Sequence, residues 1–216
     1  MPRTYNKKTE YMNQVFSWQD PCLKSIIQMT EDKQVLPMQI APYEGRILYV
    51  LAKMARVRKV VEIGTLHGYS TFHLARALPE EGVIWTCDKD EERQKRAKEI
   101  LKETEEYKKI RWISGPAQKT LNSLKNEGPF DLVFIDADKE AYGEYLYWAE
   151  KHLRSGGILL ADNTFLFGSL YGEEVRAVSS KTKEVMRQFN ATLSHSKGWI
   201  GAMIPTEEGL TVAVKI

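Results

Sequence analysis

Five short apolar runs, each followed by a stretch of helical period, constrain this chain more than any other feature. The runs are Lys59–Ile63, Gly82–Cys87, Ile110–Ile113, Phe130–Ile135 and Gly157–Ala161. Runs this short, rich in Val, Ile and Phe, fit buried strands. Between them, Tyr69–Leu78, Asp90–Thr104, Pro116–Leu124 and Lys139–Leu153 carry the spacing of amphipathic helices. A loop over Asn163–Gly172 and a helix over about Glu173–Phe189 follow the fifth run. Two last β-like runs, Trp199–Ile204 and Leu210–Ile216, are joined by Pro205-Thr206-Glu207-Glu208-Gly209. Parallel strands need long crossovers, and helices of this length supply them. The pattern therefore predicts an α/β fold: a doubly wound, mostly parallel sheet with an antiparallel C-terminal hairpin.

The segment before the first run is of another kind. Residues 1–35 are polar with scattered aromatics, and Asp20-Pro21 is a helix start, with Leu23, Ile26, Ile27 and Thr30 at helical spacing. Leu36–Pro42 holds too much proline for a helix. From Pro42 a helix is expected to about Ala55, with Ile47, Leu48, Leu51 and Met54 as its buried stripe. The expected division is a helical lead-in over 1–35 and a single domain over 36–216.

Composition excludes several functions. A net charge of +2 gives no electrostatic footprint for nucleic acid. No stretch approaches the roughly 18 apolar residues of a membrane span. Only two cysteines occur, Cys22 and Cys87, and no apolar leader follows Met1, so a cytoplasmic protein is expected.

Ligands of such sheets bind beyond the carboxyl ends of the strands. Four of those ends carry acids: Glu62 before Gly64, then Asp88, Asp136, and Asp162 with Asn163. Any one of them could simply cap the next helix; all four converge on one rim. The first loop, Gly64-Thr65-Leu66-His67-Gly68, fails the dinucleotide fingerprint because Leu66 replaces its second glycine. It also fails the phosphate-gripping pattern, since no Lys follows Gly68. A nucleoside-like ligand without a gripped pyrophosphate is what remains, with Asp88 placed to accept ribose hydroxyls. Asp136, Asp162 and Asn163 offer only oxygen, which suits a hard divalent cation such as Mg²⁺ and not Zn²⁺. Lys139 opens the next helix, where both a cation and the helix dipole would lower its pKa toward that of a general base.

These residues resemble a known family. Val-Val-Glu-Ile-Gly-Thr-Leu-His-Gly-Tyr-Ser at 60–70, Phe-Ile-Asp-Ala-Asp-Lys at 134–139, Ala-Asp-Asn-Thr at 161–164 and Glu-Gly-Leu-Thr-Val-Ala-Val-Lys at 208–215 carry the likeness. They resemble the cation-dependent, S-adenosylmethionine-dependent O-methyltransferases, among them catechol and caffeoyl-CoA O-methyltransferases and their bacterial relatives. The resemblance implies the Rossmann-like seven-stranded methyltransferase fold. It implies Glu62, Gly64, Tyr69 and Ser70 on the methionine end of the cofactor, and Asp88 on its ribose. Gly115, Pro116 and Ala117 would lie by its adenine, and Met38 and Ile40, around Gln39, over its sulfonium. Asp136, Asp162 and Asn163 would hold Mg²⁺, with Mn²⁺ or Ca²⁺ as alternatives; Asp136 would also border the cofactor, and Lys139 would be the base. A homodimer is implied as well. Asp138 replaces the bulky aromatic of the animal catechol enzyme, which favours the bacterial branch.

Phe165, Leu166, Phe167 and Tyr171 stand where the family faces its acceptor, and either wall it or pack on the sheet. His67 reads as a surface or cofactor-adjacent residue. The expected reaction is metal-dependent methyl transfer from S-adenosylmethionine to a hydroxyl of a small vicinal-dihydroxy aromatic. Its rivals are a metal-independent methyltransferase and a non-catalytic S-adenosylmethionine-binding protein; Leu66 disfavours a dehydrogenase.

Overall fold

A computed structural model of the chain describes residues 6–17, 20–32, 38–174 and 176–216. Three helices precede the first strand: α1 (Lys7–Phe16), α2 (Pro21–Asp32) and α3 (Pro42–Met54). Each start has a local cause. The Asn6 side chain accepts from the Thr9 amide at 3.0 Å, and Asp20 Oδ1 accepts from the Cys22 and Leu23 amides at 2.8 and 3.3 Å. Pro42, with no amide hydrogen to satisfy, opens α3.

Strand and helix then alternate as β1 (Lys59–Ile63), α4 (Tyr69–Ala77), β2 (Val83–Asp88), α5 (Glu91–Leu101), β3 (Ile110–Ser114), α6 (Ala117–Ser123), β4 (Phe130–Ile135), α7 (Tyr142–His152) and β5 (Leu153–Ala161). The last elements are α8 (Ser180–His195), β6 (Trp199–Ile204) and β7 (Leu210–Lys215). The seven strands form a mixed sheet in the order β3-β2-β1-β4-β5-β7-β6, the expected α/β Rossmann-like arrangement with its antiparallel terminal hairpin.

Two compact units divide the chain. One joins the residues up to Arg58 with Gly64–Thr120; the other joins Lys59–Ile63 with Leu121–Ile216. In the second unit β4 runs parallel to both β1 and β5, while β7 runs antiparallel to β5 and β6. Ile63 pairs with Ile135, and Ile135 with Ala161, so these three strands end level. Their middles are buried on both faces (Val60, Val61, Leu132–Ile135, Leu159–Ala161), which is why the sequence reads as continuous apolar runs and not as alternation. In the first unit β2 pairs in parallel with β3, with Asp88 opposite Ser114.

Several boundaries differ from the sequence reading. The helix expected over Asp90–Thr104 stops at Leu101, and Glu105–Lys109 forms a separate 3₁₀ turn. Lys139–Ala141 is likewise a 3₁₀ turn ahead of α7. The last helix begins at Ser180, not Glu173, because the Ser179 hydroxyl accepts from the Thr182 amide and fixes the start there. The buried face of α3 is also rotated from the expected stripe: Tyr43, Glu44, Gly45, Leu48 and Ala52 are buried, whereas Ile47 and Leu51 are half-buried and Met54 is exposed. Gly45 faces the His73 ring, so closely that a Cβ there would lie 2.5 Å from it. A small residue and a buried imidazole, not the large aliphatics, set how α3 meets α4.

Candidate active site

The loop after β1 is organised by Asp88. Its Oδ2 accepts from the amides of Thr65 and Leu66 at 3.0 and 2.8 Å, and its Oδ1 from the amide of Asp90 at 2.9 Å. Gly64, Leu66 and Gly68 all have positive φ (103°, 48° and 83°), the turn that brings the Thr65 and Leu66 amides onto Asp88. A Cβ on Gly68 would come within 3.1 Å of the Ala97 Cβ, so this turn needs glycine for space as well as for conformation. The Asp88 carboxylate offers about four lone-pair directions, of which three are taken. Its remaining acceptor capacity suits the ribose role expected for it.

Gln94 is the residue that sequence reasoning missed. It is completely buried on α5. Its Nε2 donates toward Thr65 Oγ1, the Thr86 carbonyl and the Ile113 carbonyl at 3.0, 3.1 and 3.2 Å, and its Oε1 accepts from Ser114 Oγ at 2.8 Å. One side chain thus ties the loop to β2 and β3. The only signal in sequence is a glutamine on the apolar face of a charged helix, four residues after Asp90. Gly115, with φ of 133°, continues the rim, and its amide bonds the Asp88 carbonyl at 2.8 Å; Pro116 and Ala117 follow at the start of α6.

His67 is not at the surface. It is 1% exposed, with Nδ1 2.9 Å from Thr30 Oγ1. Burial, reinforced by Arg93 and Arg96, lowers its pKa and keeps it neutral. Tyr69 and Ser70, opening α4, are buried, Ile40 is buried, and Met38 is half exposed at 52%.

The second cluster lies wholly in the other unit. The sheet ladder runs on through both acids: the Asp136 amide bonds the Ile63 carbonyl at 2.9 Å, and the Asp162 amide bonds the Ile135 carbonyl at 3.0 Å. Asp136 and Asp162 therefore stand at adjacent strand ends, as the sequence predicts. Asp162 is 1% exposed and Asn163 7%. Asn163 is held at φ 57° and donates from Nδ2 to Asp162 Oδ2 at 3.0 Å, which leaves its Oδ1 as a free acceptor direction. Lys139 Nζ reaches Asp136 Oδ1 at 3.0 Å and the Tyr142 hydroxyl at 2.7 Å.

Tyr142 was also missed. It is fully buried, donates to the Asp162 carbonyl at 2.8 Å, and lies under Lys139 Nζ, 4.8 Å from its ring centroid. Burial, with Asp136 and Asp162 nearby, raises its pKa well above the usual tyrosine value, so it stays a neutral hydrogen-bond partner. Its position three residues after Lys139 was its only mark in sequence. Glu62 is completely buried at the end of β1.

The family model described as O-methyltransferase matches residues 13–216. The chain belongs to the O-methyltransferase family. It is 31% identical over 185 residues to a catechol O-methyltransferase from Niastella koreensis, covering 85% of this chain and 82% of that one. Its fold is similar to that of the O-methyltransferase TomG of Streptomyces achromogenes, solved with SAM (TM-score 0.88, 27% identity, 98% and 96% of the two chains). The Bacillus cereus O-methyltransferase solved with SAH is equally similar (TM-score 0.88, 26% identity, the whole of both chains).

The loop after β5 takes an irregular path. Leu166 and Phe167 share the positive φ of Asn163 (52° and 55°), an unusual cluster of left-handed, non-glycine residues. The loop is pinned to the last hairpin, with Thr164 and Phe165 amides bonding the Gly209 and Glu208 carbonyls at 3.0 and 2.9 Å. The four side chains expected either to wall the acceptor or to pack on the sheet divide. Leu166 is core; Phe165 lies against Gly209 and edge-on to Tyr171; Phe167 carries the Arg176 guanidinium 3.6 Å above its ring; Tyr171 is exposed.

Among the described residues no group of three His, Cys, Asp or Glu side chains is placed to hold a metal ion. The Asp136, Asp162 and Asn163 set has two carboxylates and an amide. Oxygen donors, two of them buried and one on a left-handed asparagine, fit a hard divalent cation completed by water or substrate oxygens.

Proposed function

We propose that this O-methyltransferase moves a methyl group from S-adenosylmethionine to a hydroxyl of a small vicinal-dihydroxy aromatic, with a divalent cation held at Asp136, Asp162 and Asn163. The observation that carries the reading is the cluster at the level ends of β4 and β5. There a lysine, two acids, an asparagine and a buried tyrosine meet within one hydrogen-bonded network. That set is more than a structural cap requires.

In the proposed reaction the acceptor oxygen attacks the sulfonium methyl in line, the carbon–sulfur bond breaks, and S-adenosylhomocysteine leaves. Bound Mg²⁺ would supply a Lewis acid that favours the ionised acceptor hydroxyl. Lys139 Nζ would take up the hydroxyl proton as the neutral amine, after giving up its own proton and releasing Asp136. Tyr142, buried and neutral, holds Nζ from one side and keeps its approach fixed. Asp88 accepts the ribose hydroxyls of the donor. The turned amides of Gly64–Gly68, with Glu62, Tyr69 and Ser70, hold its methionine end. Gly115, Pro116 and Ala117 border the adenine, Met38 and Ile40 the sulfonium, and Asp136 stands beside it. Much of the rate comes from holding the two reactants in place.

The same reading includes a helical lead-in over 1–35 ahead of a catalytic domain over 36–216, and a homodimer in the cytoplasm that engages neither nucleic acid nor membrane. Among the described residues no helix is long and apolar enough to cross a membrane, and both cysteines are free thiols.

The test is methyl transfer to catechol, read by mass. Activity should vanish in EDTA and return with Mg²⁺; sustained turnover in EDTA removes the cation from the scheme. One observation favours a metal-independent enzyme: Lys139 already pairs with Asp136. Asp162→Ala separates the two, since a metal-independent enzyme should keep near-normal turnover.

A further inference from the structure

The hydroxyl of Thr30, on α2, makes three contacts at once. It lies 2.9 Å from the Ile26 carbonyl, 3.1 Å from Gln39 Oε1 and 2.9 Å from His67 Nδ1. Thr30 is 2% exposed and His67 1%. These contacts join three separate stretches of one unit: α2, the segment that includes Met38 and Ile40, and the turn between Gly64 and Gly68.

Hydrogen counting fixes the roles. A threonine hydroxyl has one hydrogen and two acceptor directions. The Ile26 carbonyl can only accept, so it takes that hydrogen, the usual i−4 bond of a helical threonine. His67 Nδ1 must then be the donor to Thr30, which makes the ring the Nδ1–H tautomer. Gln39 Oε1, at 3.1 Å, is a second acceptor for the same hydroxyl hydrogen. The lowered pKa of His67 agrees with a neutral ring here.

α2 is itself firmly set. Leu23 and Ile26 are fully buried, and its capping Asp20 pairs with Arg76 at 2.7 Å, which also binds Glu106 at 3.0 Å. Thr30 is thus a fixed point from which two loop segments are held.

We infer that Thr30 and His67 are positioning residues for the methyl donor. They lock the Gly64–Gly68 turn to the segment at 38–40, so that α2 forms part of the donor site. The inference rests on the reading that this turn holds the donor. It differs from a purely structural role in what it predicts, because a residue that only stabilises α2 would leave donor affinity unchanged.

The test is calorimetric titration of the full chain with S-adenosylhomocysteine. Thr30→Val keeps shape and removes all three hydrogen bonds, and should weaken binding about tenfold. Thr30→Ser restores the hydroxyl and should bind within about twofold of the parent. His67→Leu should match Thr30→Val, and the double variant should lose little more than either alone, since both break one network. Ile26→Val trims the same buried face without touching the hydroxyl and should leave affinity unchanged.

Parent-like affinity in Thr30→Val overturns the inference, as does an equal loss in Ile26→Val or additive losses in the double variant. Absence of binding by the parent chain overturns the donor reading itself, and this inference with it. Should Thr30→Val fold poorly, His67→Leu against Ile26→Val decides the matter alone.

Discussion

The donor cradle and the acid–lysine cluster are built from different materials. Around Gly64–Gly68 the working groups are backbone amides, held by Asp88 and by the buried side chain of Gln94. Nothing there needs to change protonation. At the ends of β4 and β5 the working groups are charged side chains, Lys139 on Asp136, braced by Tyr142. In the proposed reaction the cradle is a shape fixed in advance and the cluster handles the proton. The first should govern binding of the donor, the second the chemical step.

Lys139→Met is the strongest way to break that comparison. It removes the proton acceptor and should lower kcat by about 10²–10⁴-fold, the range of a lost general base. Affinity for S-adenosylhomocysteine, measured by calorimetry, should not move. A loss of affinity as large as the loss of kcat would show that the two regions do not divide the work. Asp88→Asn is the converse and comes next in size. It removes the charge that gathers three amides, and hydrogen bonds to a charged group contribute about 1.5–3 kcal/mol. Donor KM should rise about 10–100-fold with kcat at saturation little altered. A fall in kcat at unchanged KM would contradict the assignment.

The two regions were also unequally legible. Asp136, Asp162, Asn163 and Lys139 could be read from sequence because strand ends are predictable from apolar runs, and the residue after each run is then placed by register alone. The level ends of β1, β4 and β5 bear this out. Asp88 could be located in the same way, but not its three amide partners, because these depend on the left-handed turns at Gly64, Leu66 and Gly68. Leu66 has no business in that conformation by local preference; the amide bonds to Asp88 hold it there. Gln94 and Tyr142 escaped for a related reason. Each is a polar group buried inside a helix face that otherwise reads as ordinary, and most of its partners are backbone carbonyls and hydroxyls from other elements. The α3 stripe was misplaced because Gly45 and His73 are matched in space and not by period. Hydrophobic period finds elements; it does not find the polar side chains that lock them together.

That matched pair gives the smallest effect and a separate check on the cradle's unit. His73 is 1% exposed beside Gly45, and burial, with Arg76 and Arg46 nearby, pushes its pKa down from 6.5 to about 3. The unfolded chain takes up a proton near pH 6.5, whereas the folded one refuses it until about pH 3. Folding stability is therefore full above the unfolded value and falls as pH drops through that window. From pH 7 to 5 the loss from this residue is about 2 kcal/mol, by the linkage of roughly 1.4 kcal/mol per pH unit. Tm measured at pH 7, 6 and 5 should fall with acid in the parent and fall less in His73→Leu, where no proton is taken up on unfolding. Parallel curves for the two proteins would mean that the acid sensitivity lies elsewhere, and that the cradle's unit is held by its amides and apolar packing without the buried imidazole.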